Sequence, residues 1–576
     1  MERLERKKIH GHDYYYYSKW GWVNGKCRRV WQKYLGKLED IVKAVEGGGP
    51  APLYAEVFQW GLPTALWREC CRAEVVATTD GLCPKRDQGL SVGEYLAVAA
   101  LNRAICPSSK RSLWDWFSQT VLVRHLPQAS KPALASQRFW DHMDRIDGDQ
   151  PLAIWRRMVK GVLKREAIDL SSVCYDGTNF YTFIDTFNMR CETAKRGKNK
   201  QGRSNLRQVS YALFCSADGQ FPLFYDVYAG NRNDAKQFPL MLQKFHRFFQ
   251  ELVEGGCTVP DTTLIFDKGN NSADNFELLD ALEFSFVGSV KLDEHKELAG
   301  RSNDDPAFVP CEDPALEGTK AFRVAKKVCG RIRTLVVTYN QNLFNAQWLT
   351  VQNDITRAME KLAPLKQKLQ DRAEGILKQG RAPTKEGVEK QCRRILRRQY
   401  MKRVIRVEVS GGPDGIPRLE YGVDSQALRE LSDTYLGKNI LITDRAGWDD
   451  EKIIEAYRSQ FLIEDVFKEM KDRSTGNWWP LFHWTESKVQ VHGLYCTIAV
   501  LLRALLMRRI RQAGLRLSMK RLLSELDAIR EVVNIYPRKR GRKTAATQTV
   551  LTKTSELQQT LSSILRLDKE EKPVLG

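Results

Sequence analysis

No C-x-x-C pair occurs in the sequence, and its 13 cysteines are scattered, so neither a zinc ribbon nor a paired redox motif is encoded. Cys70 and Cys71 are neighbours, which suits neither a zinc site nor a simple disulfide frame. The eight histidines are equally dispersed, and the pair His10/His12 has no cysteine at finger spacing. Long apolar runs are missing too. The longest clean stretch lies in Leu494–Leu502 and ends at Arg503, short of the ~20 residues that cross a bilayer. The opening MERLERKKIHG is charged with no apolar run behind it and does not read as a secretory signal. These absences predict a chain that meets no membrane and works in a reducing cytoplasm. Acidic residues are also in deficit: 70 aspartates and glutamates face 91 lysines and arginines, a net charge of +21. A chain this basic is expected to meet a polyanion, because each phosphate contact releases a condensed counterion. The bland reading of the same charge is solubility alone.

What is present is globular. Hydrophobic residues make up 42% and charged residues 28%, which excludes disorder of the whole chain. At ~150 residues per domain, 576 residues suggest three or four domains. Residues 1–48 read as a basic N-terminal hairpin. Asp13–Trp20 carries four tyrosines in a row, Asn24-Gly25 supplies a tight turn, and Cys27–Tyr34 returns. Lys7, Lys8, Lys26, Arg28 and Arg29 flank it, so it lies on DNA or is a small sheet packed on a neighbour. Glu46-Gly-Gly-Gly-Pro-Ala-Pro52 reads as a linker. Residues 53–165 read as mainly helical, a region for DNA-end binding or oligomer contacts, and Ser91–Ala104 opens on a helical start signal.

From residue 168 the period becomes strand-like. Leu170–Tyr175 ends at Asp176, Gln208–Cys215 and Phe221–Tyr228 flank an Asp218-Gly219 turn, and Thr262–Phe266 ends at Asp267. A helix capped by Ser272 or Asp274 and a strand over Phe284–Val290 follow. Three strands and then a strand–helix–strand unit predict a mixed α/β sheet covered by helices, first over 166–300 and again over 437–515. Between them, 301–436 reads as an insertion. Phe322–Tyr339, Gln347–Gln352, Arg403–Val409 and Pro417–Gly422 look like strands, and 355–403 is helical with a break at Gly380–Pro383. Seven basic residues and no acid occupy 392–406, among them Arg394, Arg397 and Arg398. They form a phosphate track or a solvated helix face. Residues 516–576 form a basic C-terminal region with the run Arg538–Lys543.

The chemistry rests on carboxylates. Asp176 and Asp267 each end a predicted buried strand, where sites open at a sheet's rim, although a strand-ending turn aspartate is the commoner meaning of either alone. The third acid comes from a helix predicted over about Asp449–Asp472. At 100° per residue, Tyr457, Glu464 and Lys471 fall close to one line, with Lys468 and Gln460 within about 40° of Glu464. Leu462, Ile463, Val466 and Met470 take the opposite side. The stripe is an acid among lysines and a tyrosine, or a surface helix with Glu464 paired to Lys468. Three carboxylates on adjoining elements suit two Mg²⁺ ions, with Mn²⁺ as a substitute, each taking oxygen ligands in a phosphoryl-transfer site.

At these residues the sequence resembles the bacterial insertion-sequence transposases of the DDE type that carry a Y-R-E-K signature. Tyr457, Glu464 and Lys471 fit that spacing, while Gln460 stands where the arginine is expected and Arg458 falls about 120° from Glu464. Asp176-Gly-Thr-Asn-Phe-Tyr181, Lys195–Gln208 with Gly230–Asp234, Leu264–Asp267 and Gly437–Asp444 are similar to further blocks in the same order, as are His483-Trp-Thr and His492. The resemblance implies an RNase H-like catalytic core interrupted by a β-rich insertion domain, since 197 residues separate Asp267 from Glu464. It implies Asp176, Asp267 and Glu464 as catalytic metal ligands, Lys468 and Lys471 on the phosphate, Tyr457 on the DNA backbone, and Trp348 as a candidate to stack on a displaced base. It implies cleavage at the element's ends and joining of 3′ hydroxyls to target DNA by a homodimer in a synaptic complex, in a bacterial cytoplasm at the nucleoid. An RNase H-like nuclease without strand transfer and an inactive DNA-binding relic are the other readings.

Overall fold

The computed structural model describes residues 2–568 apart from 24–25, 47–50, 86–87, 199–201, 204, 413, 473 and 539–544. The Asn24-Gly25 turn, most of the predicted linker and nearly all of the Arg538–Lys543 run therefore lie outside the described residues. Glu2–Ile9 (β1), His12–Val23 (β2) and Lys26–Gly36 (β3) pair antiparallel, one strand more than the predicted hairpin. β1 carries almost no apolar alternation, so nothing in its pattern announced it. Its turn to β2 is a two-residue loop with His10 at φ 48° and Gly11 at φ 83°, and paired positive angles of this kind match the twist of the flanking strands.

Tyr54–Gln59 (β4) precedes a helical region that runs from Gly61 to Arg165, as expected. In it Ser91 caps its helix reciprocally: Ser91 Oγ accepts from Glu94 N at 3.0 Å and Glu94 Oε2 accepts from Ser91 N at 2.7 Å. The strands that follow are Ser172–Tyr181 (β5), Lys195–Arg196 (β6), Arg207–Ser216 (β7), Pro222–Ala229 (β8), Thr263–Ile265 (β9), Ser285–Val290 (β10), Val309–Pro310 (β11), Thr319–Val328 (β12) and Arg331–Asn340 (β13). Ile405–Gly411 (β14) and Pro417–Val423 (β15) form a separate hairpin, and Lys438–Thr443 (β16) returns to the main sheet. Arg530–Ile535 (β17) and Thr547–Leu551 (β18) form a third sheet with β4, in which β17 is the central strand. The main sheet has ten strands in the order β11-β12-β13-β16-β10-β9-β5-β7, with β6 and β8 both on β7. β9 lies parallel to both β5 and β10, and the other pairings are antiparallel. This is the mixed α/β class, with several sheets and many helices.

The expected β-rich insertion over 301–436 is corrected in two ways. β12 and β13 are not part of a separate unit, because β13 pairs with β16 and extends the main sheet. The rest is mostly helical, and Gln347–Gln352 lies inside the 33-residue helix Gln341–Ala373. Trp348, Leu349 and Val351 look strand-like over six residues, but Val351, Ala358, Leu362, Leu365 and Leu369 form the buried stripe of a helix. Those residues and Val388, Leu419 and Leu431 make a second hydrophobic core of their own.

Two further expectations shift. Asp176 does not end its strand. β5 continues to Tyr181 because β7 pairs with it through that residue, while β9 stops at Ile265. The helix expected over Asp449–Asp472 is two helices, Asp450–Arg458 and Phe461–Lys471. Ser459 interrupts them, its hydroxyl donating to Ala456 O at 2.6 Å in competition with the helical ladder.

The helix Glu486–Gln512 is long and apolar enough to cross a membrane, yet 89% of its most apolar window is buried within the protein. It packs on β8 so closely that a Cβ on Gly493 would meet Val227 Cγ2 at 2.5 Å. Beside it lies a basic cluster wholly inside the fold. His492 shares a hydrogen bond of 2.6 Å with the Tyr495 hydroxyl and one of 2.8 Å with Trp478 O, and His483 contacts the same tyrosine at 3.3 Å. Burial, with Lys110 and Arg103 nearby, holds both imidazoles well below their ordinary range and so neutral. The unfolded chain then binds more protons than the folded one below about pH 6.5, so stability must rise with pH there. Urea titrations at pH 5.0 and 7.0 are expected to show the lower stability at pH 5.0, with a slope of up to ~1.4 kcal/mol per pH unit per histidine.

Candidate active-site cleft

β5 and β9 set the positions of the two aspartates. In their parallel register Val173 faces Leu264 and Cys174 faces Ile265. Two residues beyond that pairing stand Asp176, still within β5, and Asp267, past the end of β9 and at the cap of the turn Lys268–Asn270. Cys174, Asp176, Thr178 and Phe180 share one face of β5, by the two-residue alternation of a strand. On that face Cys174 Sγ lies 3.5 Å from Ser459 O and Oγ, Thr178 Oγ1 accepts from Lys471 Nζ, and Lys471 Nζ lies 5.4 Å from the centroid of the Phe180 ring. Asp176 therefore sits between two residues that touch the Ser459 turn and the end of the Phe461–Lys471 helix.

Asp267 opens a cleft of about 320 Å³. Tyr457, Arg458, Gln460 and Glu464 line it on the helix side, and Thr338, Asn340 and Asn439 on the sheet side. The Tyr457 hydroxyl donates to Ser289 Oγ at 2.8 Å and lies 3.5 Å from Asp267 Oδ1. Burial first, and then the Asp267 and Glu464 charges, push this hydroxyl up to about 12, against the hydrogen bond to Ser289. Asp176 Oδ1 accepts from Gly177 N and Asp267 Oδ1 from Lys268 N, both at 2.7 Å. Asp267 and Glu464 meet on this cleft, and Asp176 stands one strand over without lining it. Among the described residues no three aspartate, glutamate, histidine or cysteine side chains close around one point.

The other expected residues divide. Lys471 reaches the face of Asp176. Lys468 pairs with Asp465 Oδ1 at 2.9 Å and not with Glu464. Arg394, Arg397 and Arg398 lie in the insertion, outside the cleft lining, and Arg398 is bound to the buried Asp354 at 2.6 Å. Trp348 stacks with Phe344 at a centroid distance of 6.3 Å, packed on the insertion's core. Arg458 is the residue that the helical geometry of the sequence points aside. The 120° offset assumes a continuous helix, and with the helices broken at Ser459 Arg458 and Glu464 line the same cleft, Arg458 donating to Ala315 O at 2.9 Å and Thr319 Oγ1 at 2.7 Å. Asn340 and Asn439 had no signal in the sequence, since their strands are far apart in the chain.

Residues 171–502 match the family model described as transposase DDE domain. The chain belongs to the DDE transposase family. The match spans β5 to the core helix Glu486–Gln512 and so includes Asp176, Asp267 and Glu464. No match is found among curated proteins. Among solved structures, the chain is similar at 11% identity to a piggyBac transposase in a cryo-EM synaptic complex with hairpin DNA, over 89% of this chain and 82% of that one, with a TM-score of 0.35.

The transposase's Tyr457 gives a direct test of this geometry. Tyr457→Phe is expected to lower the unfolding free energy by ~0.5–1.5 kcal/mol, the net worth of one hydrogen bond. A tyrosine raised in the folded state keeps its contribution below its unfolded value near 10 and loses it above, so the difference from wild type should be constant between pH 7 and 9 in urea titrations.

Proposed function

We propose that this DDE transposase cuts DNA at the ends of its own bacterial insertion sequence and joins the freed 3′ hydroxyls to target DNA, working as a homodimer in a synaptic complex in the cytoplasm. The observation that carries the reading is that Asp176 and Asp267 each follow the paired segments of adjoining strands by two residues, while Glu464 lines one cleft with Asp267. A three-strand antiparallel meander, β5, β7 and β8, followed by the parallel strands β9 and β10, supports an RNase H-like core. The spacing of Tyr457, Glu464 and Lys471 supports the Y-R-E-K assignment, with Arg458 as the cleft arginine in place of Gln460.

The residues fit a divalent metal by donor type. Asp176, Asp267 and Glu464 offer only hard carboxylate oxygens, which suit Mg²⁺ or Mn²⁺ and not a soft metal. When bound, such ions supply Lewis-acid activation of the phosphate and of the attacking oxygen. The chain's own side chains do the rest. Lys471, beside Asp176, holds a phosphate oxygen next to the scissile bond as a point charge. Tyr457, held protonated, turns its single hydroxyl proton from Ser289 to the DNA backbone. Arg458, its guanidinium held by Ala315 O and Thr319 Oγ1, adds a fixed positive charge to the cleft that receives the phosphates. The basic β1–β3 sheet and the exposed Arg394 and Arg397 bind the duplex away from the cut.

The reading is tested with purified protein, Mg²⁺ and DNA carrying the element's ends. Joined products are expected. Cut ends alone would mean a nuclease, and a salt-sensitive shift without cutting an inactive DNA binder. Asp267→Ala should lower cleavage and joining by ~10²–10³-fold or more while end binding stays intact, as when a stabiliser of transition-state charge is removed. A variant that still cuts at the wild-type rate would overturn the assignment. Arg394→Ala with Arg397→Ala should reduce the salt dependence of DNA binding, lowering the log–log slope by about 0.9 for each phosphate that is no longer neutralised.

A further inference from the structure

Beyond the cleft, two segments lie side by side at the far end of β5. One is the loop after Tyr181, and the other is the stretch 479–486. Glu486 N donates to Arg190 O at 2.9 Å, and Trp479 and Tyr181 pack with ring centroids 4.8 Å apart. Together they display an aromatic surface. Phe187 and Met189 are each 87% exposed, Phe183 67%, Phe482 66% and Trp484 48%.

This exposure is built. Beneath the loop the buried Arg207 gives its guanidinium to four carbonyls, those of Asp185 at 2.7 Å, Asn188 at 2.9 Å, Cys191 at 2.8 Å and Ala194 at 2.5 Å. The carboxylate of Glu486 accepts from Thr193 N at 3.0 Å and from its hydroxyl. A loop fastened at so many points holds Phe187 and Met189 in water at a steady cost in apolar exposure. The charge around it is of one dominant sign. Arg190 lies 4.8 Å from the Trp484 ring and Arg203 4.8 Å from the Tyr181 ring. Lys195, Arg196 and Lys198 are exposed on the following segment, Arg196 donating to Thr186 Oγ1 of the loop at 3.0 Å, and Asp185 and Glu192 are the exposed acids of the loop.

Beneath the surface the patch is joined to Lys471 by packing: Lys471 lies over the buried Phe180, Phe180 packs on Trp479 at 5.6 Å, and Trp479 packs on Tyr181. Flat aromatic rings with arginines over them match a strand whose bases have left the duplex. Each exposed base offers a π-face to stack and each phosphate a charge to neutralise. From this we infer that Phe187 and Trp484, with Arg190 and Arg203, form a platform that holds unpaired nucleotides of the DNA strand leaving the active-site cleft. The inference rests on the proposed DNA-cutting role of that cleft.

The test uses the full chain without divalent metal and two fluorescent duplexes, one blunt and one with a five-nucleotide single-stranded overhang bearing 2-aminopurine. Wild type is expected to bind the overhang duplex about tenfold more tightly and to quench the 2-aminopurine, within the range for one or two stacked bases. Phe187→Ala with Trp484→Ala should abolish both effects and leave the blunt duplex within twofold of wild type, while Trp484→Phe retains them. Both side chains are surface groups, so the variants keep the fold. The proposal is overturned if the double alanine variant retains the preference, if both duplexes weaken equally, or if the substitution changes only the oligomeric state in sedimentation. A wild type that prefers the overhang but cuts no DNA with Mg²⁺ would leave the platform standing and sink the proposed reaction instead.

Discussion

The parallel pairing of β5 with β9, fastened by Thr263 N donating to Ser171 O at 2.8 Å, fixes where the acids of this protein can stand. Asp176 and Asp267, 91 positions apart in the chain, each follow that pairing by two residues. A slip of one residue would turn one aspartate to the opposite face of the sheet, because the side-chain period of a strand is two. Both strands are buried among apolar neighbours, Val173 and Cys174 on one and Leu264 and Ile265 on the other, so a slip would expose core. The hydrophobic effect that holds the sheet in register thus also positions the carboxylates.

Glu464 reaches the cleft that Asp267 lines by a different device. An unbroken helix from Asp449 to Asp472 would carry Tyr457 and Glu464 on one line and point Arg458 aside. The turn at Ser459 and Gln460 separates the helices instead, and the cysteine of β5 touches that turn. Gln460 is buried at the joint.

Charge is arranged on two scales. The chain as a whole is strongly cationic, which draws a polyanion from a distance but is screened beyond about 8–10 Å at ordinary salt. The cleft itself carries two carboxylates, Asp267 and Glu464, with Arg458 among the same lining residues and the hydroxyl and amides of Thr338, Asn340 and Asn439 on the sheet side. Many of the basic residues are spent on structure. Arg398 holds Asp354, Arg406 holds Asp424, and Arg509 bridges Glu69 and Glu166. The net charge therefore overstates the number of cations available to DNA, and the run over 392–406 is in part a structural network and in part an open face.

The sequence alone determined the mixed α/β class, the helical N-terminal region, the strands before Asp176 and Asp267, the caps at Ser91 and Ser272, and a buried helix over 486–511. Each of these is set by local pattern: apolar period, turn dipeptide or capping side chain. It also singled out Asp176, Asp267, Glu464 and Lys471 by their residue types and spacing. Tertiary structure alone decided the rest. Only the long-range pairing of β13 with β16 moved β12 and β13 out of the insertion, and only a second core made residues 347–352 helical. Only the folded sheet and the helix over it brought Arg458, Asn340 and Asn439 together on one cleft. Such interactions join residues far apart in the chain, and no periodicity read along a single segment contains them.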